Sequence, residues 1–428
     1  MSRNWCRVVA LALGLGLVAC HPQTAKRPAP TAPATLPALK LSPPAEAAIA
    51  GLYTESRTPG MVVAVVEGDA VAVRGFGHIS PTDRRVPDGA TLVRLDSVSK
   101  LFASELLAKL VAARKLALTD PLTRFAPPGW AAPPPTVGDP PIALVQLATH
   151  TSGLPRVFPL GVPASPPSAD QAFAERWAWL GKRRDARDPG KGAHYSNLGF
   201  DFLGDAEAAA AGASYGAALH DLVTGPLGMA DTSADPSPDA CARMMSADPG
   251  WNPPPCGDTS YMAASGGLYS TANDMARWML SQLADGPPDP LRQISQAIYV
   301  RRDQLAYASG VDVAGPANGI GLAWIELAPD AGHPRLIEKT GGGYGFMTYV
   351  VLDPARRIGV FFAMNRMSGM ALKLGAQRAN DLVATLGGFN PALAPPSTST
   401  PAAPEAAPPA PSVAKNAHPR HGRRRKGG

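Results

Sequence analysis

Apolar positions along this chain change their period several times, and each change marks an element. From Met61 to Val66 and again from Val71 to Gly77 the residues are rich in β-branched side chains, with Gly68-Asp69 between the runs, which predicts a β-hairpin. Thr91–Leu95 keeps the strand character. Beyond Ser97, Phe102, Leu106, Leu110 and Ala113 recur at helical spacing with no internal proline or glycine, so a helix is predicted to about Lys115 with Ser97 at its N-terminus. The middle of the chain, from about Pro121 to Leu291, alternates proline-rich stretches with helical periods at Ile142–Ala148, Ala169–Leu180, Leu198–Ala210, Gly216–Val223 and Ala272–Leu283. After it, Ile320–Leu327, Arg335–Lys339, Phe346–Leu352 and Ile358–Ala363 read as strands and Leu372–Leu386 as a closing helix. Strands near both ends with helices between them predict a two-lobed α+β molecule: an antiparallel sheet built from both chain ends and flanked by helices, with an inserted helical lobe. A cleft between the lobes is the expected place for a site.

Both termini depart from this patterning. Arg3 and Arg7 precede an apolar stretch from Val8 to Ala19 that is too short to span a bilayer and has the layout of a secretory signal. It ends in Leu17-Val18-Ala19-Cys20, which resembles a bacterial lipoprotein box, so residues 1–20 are expected to be a lipoprotein signal with Cys20 as the lipidated residue. The periplasm, with a lipid anchor on the membrane surface, is then the expected location. His21 after the cysteine points to the outer membrane on family convention. Residues 21–44 hold seven prolines among alanines and threonines and read as a tether. Residues 391–428 repeat that composition, end in a basic run and read as a disordered tail, leaving 45–390 as the catalytic domain.

Composition changes the picture in two places. The formal net charge of +6 is matched by six cations in the tail, Lys415, Arg420, Arg423, Arg424, Arg425 and Lys426, so residues 1–414 are formally neutral (6 − 6 = 0). The body therefore carries no basic footprint for nucleic acid. Of the four cysteines, Cys241 and Cys256 lie in the body and are able to pair in an oxidising compartment. No histidine or third cysteine accompanies them at zinc-site spacing, and no metal is expected.

Three short motifs occur in order: Ser97-Val98-Ser99-Lys100, Tyr195-Ser196-Asn197 and Lys339-Thr340-Gly341. Residues three apart share a helix face, so Lys100 places its amine beside the Ser97 hydroxyl as a candidate base. That amine works only when neutral, and burial or a neighbouring cation such as Lys339 lowers its pKa. Tyr195, between Lys100 and Lys339, is the candidate proton shuttle. Asn197 would hold the Lys100 amine and a substrate amide, Lys339 and Thr340 a substrate carboxylate, and Gly341 and Gly342 would let a substrate backbone come close. Each residue alone has a bland reading: Tyr195 a core aromatic, Asn197 a helix cap, Lys339 a solvated strand residue. The Ser-x-x-Lys spacing also recurs at Ser412–Lys415, in the tail, whereas the other two motifs occur once.

Together these motifs resemble those of the serine β-lactamases and penicillin-binding proteins, in the tyrosine form of the class C branch. Leu147–Pro155, Pro226–Met229 and Ser265–Thr271 are typical of that superfamily, and the surroundings of Ser97, Tyr195, the cysteine pair and Lys339 are similar to AmpH-type class C penicillin-binding proteins. The resemblance implies a serine β-lactamase/DD-peptidase-like fold and D-alanyl-D-alanine carboxypeptidase or endopeptidase activity on peptidoglycan stem peptides, with β-lactam antibiotics as covalent inhibitors and no cofactor. It further implies that Ser97 is acylated, that Lys100 and Tyr195 handle the proton, and that the backbone N–H groups of Ser97 and Gly342 form the oxyanion hole. A class C-like β-lactamase or esterase on the same scaffold, and a non-catalytic peptidoglycan-binding lipoprotein, are the alternatives. Gly212–Gly216 matches the nucleophile elbow pattern but follows an alanine-rich helix instead of a strand, and His150 and His194 are expected as packing or pocket-wall residues.

Overall fold

In a computed structural model, the chain is described over residues 36–132, 140–158, 166–182, 189–287 and 289–394. The expected lipidation site at Cys20, most of the tether and all of the basic tail, including Ser412–Lys415, lie outside the described residues. In chain order the helices are α1 Pro43–Ser56, α2 Ser99–Ala112, α3 Leu144–Ala148, α4 Ala169–Lys182, α5 Asn197–Ala211, α6 Tyr215–Leu219, α7 Pro238–Cys241, α8 Ala272–Gln282, α9 Pro290–Ser295 and α10 Gly369–Leu386. The strands are β1 Gly60–Glu67, β2 Ala70–Gly77, β3 Leu92–Arg94, β4 Ala193–His194, β5 Tyr269–Thr271, β6 Ile298–Arg301, β7 Ala308–Ser309, β8 Gly319–Gly321, β9 Ile325–Leu327, β10 Leu336–Gly343, β11 Phe346–Asp353 and β12 Ile358–Met364.

One antiparallel sheet in the order β2-β1-β12-β11-β10-β9-β8-β6 joins strands from both chain ends, as the sequence predicts. β1 is covered on both faces. Its Val62, Ala64 and Val66 pack in one core with Phe102 and Leu106 of α2 and Met275 and Met279 of α8. Met61, Val63 and Val65 pack in a second with Ile49 and Leu52 of α1 and Ala376 and Leu382 of α10. Double coverage is why β1 reads as an unbroken apolar run without alternation. The inserted lobe, led by α3 to α6, lies on the side of the first core and brings α5 against α2.

Four local features differ from the expectation. The ordered fold begins before residue 45: Val71 N–H donates to Pro37 O and Leu39 N–H to Val71 O, both at 2.8 Å, and Leu41 is buried. Pro43 and Pro44, read from composition as tether, occupy the first turn of α1 behind the Ser42 cap, where a missing N–H costs nothing. At the other end, order continues past 390 through a turn at Pro391–Leu393 capped by Asn390. Thr91–Leu95 does form a strand, but β3 pairs with β5 outside the large sheet. The run Ile320–Leu327 is two strands, because Ala323 takes a left-handed φ of 62° and Gly321 N–H donates to Trp324 O at 2.8 Å. Leu322 and Trp324 in that turn are buried, so its composition looks like strand.

Gly212 ends α5 in the left-handed region at φ 70°, and Ser214 caps α6 by accepting from Ala217 N–H at 3.3 Å. Gly212–Gly216 is therefore a helix-to-helix turn, as its context predicts. Cys241 and Cys256 are joined by a disulfide beside the small cluster of Leu92, Ala240 and Tyr269.

Candidate active site

Ser97 sits in a single 3-10 turn, Asp96–Val98, that leads into α2. The turn opens at Asp96, which is buried and adopts φ 49°, a conformation uncommon outside glycine. Three bonds hold it: Leu95 N–H donates to Leu268 O at 2.9 Å, Thr348 Oγ1 donates to Leu95 O at 2.8 Å, and Leu268 N–H donates to Ser99 Oγ at 3.1 Å. The serine is thus fixed to β11 and to the segment before β5.

Lys100 follows on the same helix face and is fully buried. Its Nζ donates to Ser97 Oγ at 3.2 Å, to Asn197 Oδ1 at 2.7 Å and to Ser265 O. Burial, reinforced by the nearby Lys339 and Arg156 cations, holds the Lys100 pKa well below the usual lysine range, against the pull of Asp201 and Asp96. From the other side the Tyr195 hydroxyl donates to Ser97 Oγ at 2.5 Å. One oxygen therefore meets an amine and a phenol at once.

The Tyr195 ring is held by its neighbours. His150 stacks on it at 4.4 Å between centroids, and Lys100 Nζ, Arg156 Cζ and Lys339 Nζ lie 4.8, 4.9 and 5.0 Å from the ring centre. His150 Nδ1 accepts from Ser196 N–H at 3.1 Å, which places the ring proton on Nε2, and burial with the Lys339 and Lys100 charges keeps its pKa well below the normal histidine value. It is a neutral platform under the phenol, consistent with a packing role. The α5 cap is Ser196, whose Oγ accepts from Gly199 N–H at 2.8 Å, and not Asn197. The Asn197 amide is left to meet Lys100.

β10 brings the third motif. Lys339 is buried at the Tyr195 ring, and Thr340 is half-buried beside it. A Cβ on Gly341 would lie 2.5 Å from Leu95 O and 3.2 Å from Ser97 N, so the strand backbone touches the serine turn. Gly342 comes next on β10, opposite Met347 of β11. Ser97, Lys100, Tyr195, Asn197 and Lys339 are thus gathered from the turn before α2, α2 itself, the β4–α5 junction and β10. The Ser265 carbonyl that receives Lys100 and the His150 platform lie in Ser265–Thr271 and Leu147–Pro155, stretches typical of the superfamily, but their roles are not signalled by residue type: a backbone oxygen looks the same in any residue, and a buried histidine reads as packing.

Residues 45–385 match the family model described as Beta-lactamase. The chain is 39% identical over 346 residues to the D-alanyl-D-alanine-carboxypeptidase/endopeptidase AmpH of Escherichia coli (strain K12), covering 80% of this chain and 89% of that one. A solved beta-lactamase/D-alanine carboxypeptidase from Yersinia pestis, complexed with citrate, superposes with a TM-score of 0.74 at 37% identity over 80% of this chain and 98% of its own. A class C beta-lactamase from Rhodobacter sphaeroides shares the fold, with a TM-score of 0.62 at 22% identity over 81% of this chain and 99% of its own.

Proposed function

The chain belongs to the beta-lactamase family, and from that premise we propose that it is a serine DD-peptidase that cleaves D-alanyl bonds of peptidoglycan stem peptides or cross-links through an acyl-enzyme. The observation that carries this reading is the meeting of Tyr195 Oη and Lys100 Nζ on Ser97 Oγ, at 2.5 and 3.2 Å. A serine needs a group at hydrogen-bond distance that can take its proton once deprotonated, and here the Lys100 amine and the Tyr195 phenol both meet its oxygen.

In the proposed cycle Ser97 Oγ attacks the carbonyl carbon of the penultimate D-alanine while its proton passes to the Lys100/Tyr195 pair. The tetrahedral oxygen is received by the N–H groups of Ser97 and Gly342, each such donor being worth about 2.7–4 kcal/mol in comparable sites. The C–N bond then breaks, and the stored proton goes through Tyr195 to the departing amine. Water attacks the ester, gives its proton to the same pair, and Ser97 leaves with that proton restored. Lys339 and Thr340 hold the substrate carboxylate, and Asn197 holds Lys100 and the substrate amide. β-Lactams, which present a strained amide in the same place, are expected to acylate Ser97.

A fluorescent penicillin tests this reading: it is expected to label the protein covalently, and Ser97→Ala to abolish the label. A variant that still labels would move the nucleophile elsewhere. Slow turnover of the penicilloyl-enzyme with release of D-alanine from a pentapeptide supports the peptidase, and rapid turnover makes the protein a β-lactamase. We extend the proposal to the chain ends: a 1–20 signal peptide, lipidation at Cys20, a tether to the folded unit, a basic tail, and attachment in the periplasm at the outer membrane. Cys20→Ala is expected to move the protein from the membrane to the soluble fraction.

A further inference from the structure

Behind Lys100 lies a carboxyl for which the acyl-transfer scheme has no use. Asp201 follows Asn197 by one turn of α5, so the two side chains share a face of that helix. Lys100 Nζ donates to the Asn197 amide oxygen and to the Ser265 carbonyl, and the nearby Ser265 hydroxyl, which donates to Met262 O at 3.3 Å, lowers the Asp201 pKa. Asp201 Oδ1 is itself buried without a hydrogen-bond partner among the described residues. The carboxyl thus stands one helical turn beyond the Asn197 amide that holds the amine.

The charges around it narrow its role. Proton transfer from Ser97 turns Lys100 into an ammonium in a crevice where Lys339 and Arg156 already oppose positive charge. Two carboxyls favour that ammonium, Asp201 and Asp96. Burial pushes the Asp96 pKa well above the usual carboxylate range, whereas the Asp201 pKa is raised by burial only to about 6 against the opposing pull of Arg176, Ser265 and Lys100. Of the remaining groups, Arg176 on α4 is engaged with Asp205, to which its Nε donates at 2.7 Å, and Asp205 raises the Asp201 pKa from the same helix. Burial pushes the Glu207 pKa on α5 well above its usual value, and the Tyr215 phenol of α6 is pushed up by burial and by the Glu207 and Asp201 carboxyls. Of the two carboxyls that favour the Lys100 ammonium, Asp201 is the one whose pKa, about 6, leaves it ionised at neutral pH.

We infer that Asp201 is a positioning residue for the proposed reaction, the counter-ion that steadies Lys100 while its ammonium holds the proton taken from Ser97. The inference rests on the assignment of Ser97 and Lys100 above. It has two linked consequences. An ionised Asp201 favours charged Lys100, so its removal lets the amine become neutral at lower pH and moves the acid limb of the acylation rate downward. The same loss leaves the ammonium of the transition state less stable and lowers the plateau above that limb.

The test is the pH profile of acylation of the full chain by a fluorescent penicillin. Asp201→Asn is expected to shift the acid-limb midpoint to lower pH by about one unit and to reduce the plateau by about tenfold, the size of effect one nearby opposite charge exerts. Asp201→Glu, which keeps the charge, is expected to return the midpoint toward the wild-type value. Should Asp201→Asn fail to fold, Ser265→Ala removes a hydroxyl that favours the ionised Asp201 carboxyl and is expected to shift the midpoint the same way by less. A plateau that drops while the midpoint stays in place means a merely structural role and overturns the inference. Wild-type protein that takes no label, or Ser97→Ala that does, overturns the catalytic assignment instead.

Discussion

Gly341→Ala probes how closely β10 must approach the serine turn. A Cβ there would stand 2.1 Å from Thr348 Oγ1, 2.5 Å from Leu95 O and 3.2 Å from Ser97 N. Thr348 cannot swing aside without losing its 2.8 Å bond to Leu95 O, and Leu95 O is backbone. Ordinary contact begins at 3.4 Å, so the strand and the turn must separate by 3.4 − 2.5 = 0.9 Å along that line. Lys339, Thr340 and Gly342 ride on the same strand and would move with it. A misplacement of about 1 Å costs about 10²-fold in rate, and overpacking of this kind costs about 1–3 kcal/mol of stability. The measurement is the second-order rate constant for acylation by a fluorescent penicillin, with urea unfolding in parallel. The expected result is a protein that folds but reacts about 10²-fold more slowly. Thr348→Ala in the same chain removes the 2.1 Å clash and leaves the 2.5 Å one, so it is expected to restore only part of the rate. A Gly341→Ala protein that reacts at the wild-type rate would refute the claim that this contact sets the site.

Three further outcomes follow from other parts of the fold. Replacing Cys241 and Cys256 with serine opens a cross-link spanning 15 residues and is expected to lower the unfolding free energy in urea by about 3 kcal/mol, while an unchanged value would mean that this loop adds nothing to stability. Arg176→Met leaves the buried Asp205, among the described residues, with only the Trp177 Nε1 donor at 2.9 Å and is expected to cost about 3–5 kcal/mol, much of it recovered when Asp205→Leu is added. His333 bonds Asp381 of α10 at 2.9 Å, and that contact, with Asp330, raises its pKa above the usual 6.5. A raised folded-state pKa means stabilisation that is fully present below 6.5 and lost as pH rises through the higher folded value. The gap in melting temperature between wild type and His333→Gln is therefore expected to close on moving from pH 6 toward pH 9; a constant gap would show that protonation of His333 plays no part.

Much of the architecture is legible in period and composition because the large elements obey simple rules. The hairpin at Gly68, the run of α2 and the strands β10 to β12 all bury regular apolar patterns. The failures share one cause: composition reports what a segment is made of, and packing decides where it goes. Pro43 and Pro44 look like tether until Ser42 caps a helix that they begin. Leu322 and Trp324 look like strand because their turn is buried. The three motifs bring Ser97, Lys100, Tyr195, Asn197 and Lys339 to one place, although 242 residues separate the first from the last (339 − 97). His150 is expected as a packing or pocket-wall residue, whereas the parts played by the Ser265 carbonyl and Asp201 depend on where α5 and the segment before β5 settle against α2.

The pairing of β1 with β12, Met61 opposite Met364, also bears on how the molecule comes to exist. These residues are 364 − 61 = 303 positions apart, so a ribosome adding about 5–20 residues per second delivers the partner roughly 15–60 s after the hairpin has emerged. Through that interval one edge of a valine-rich ribbon has nothing native to pair with, and such an edge readily recruits its like from a neighbouring nascent chain. Maturation is accordingly tied to completion of synthesis, and a message cut short before codon 358 yields a polypeptide destined for proteolysis or aggregation instead of a weakened enzyme.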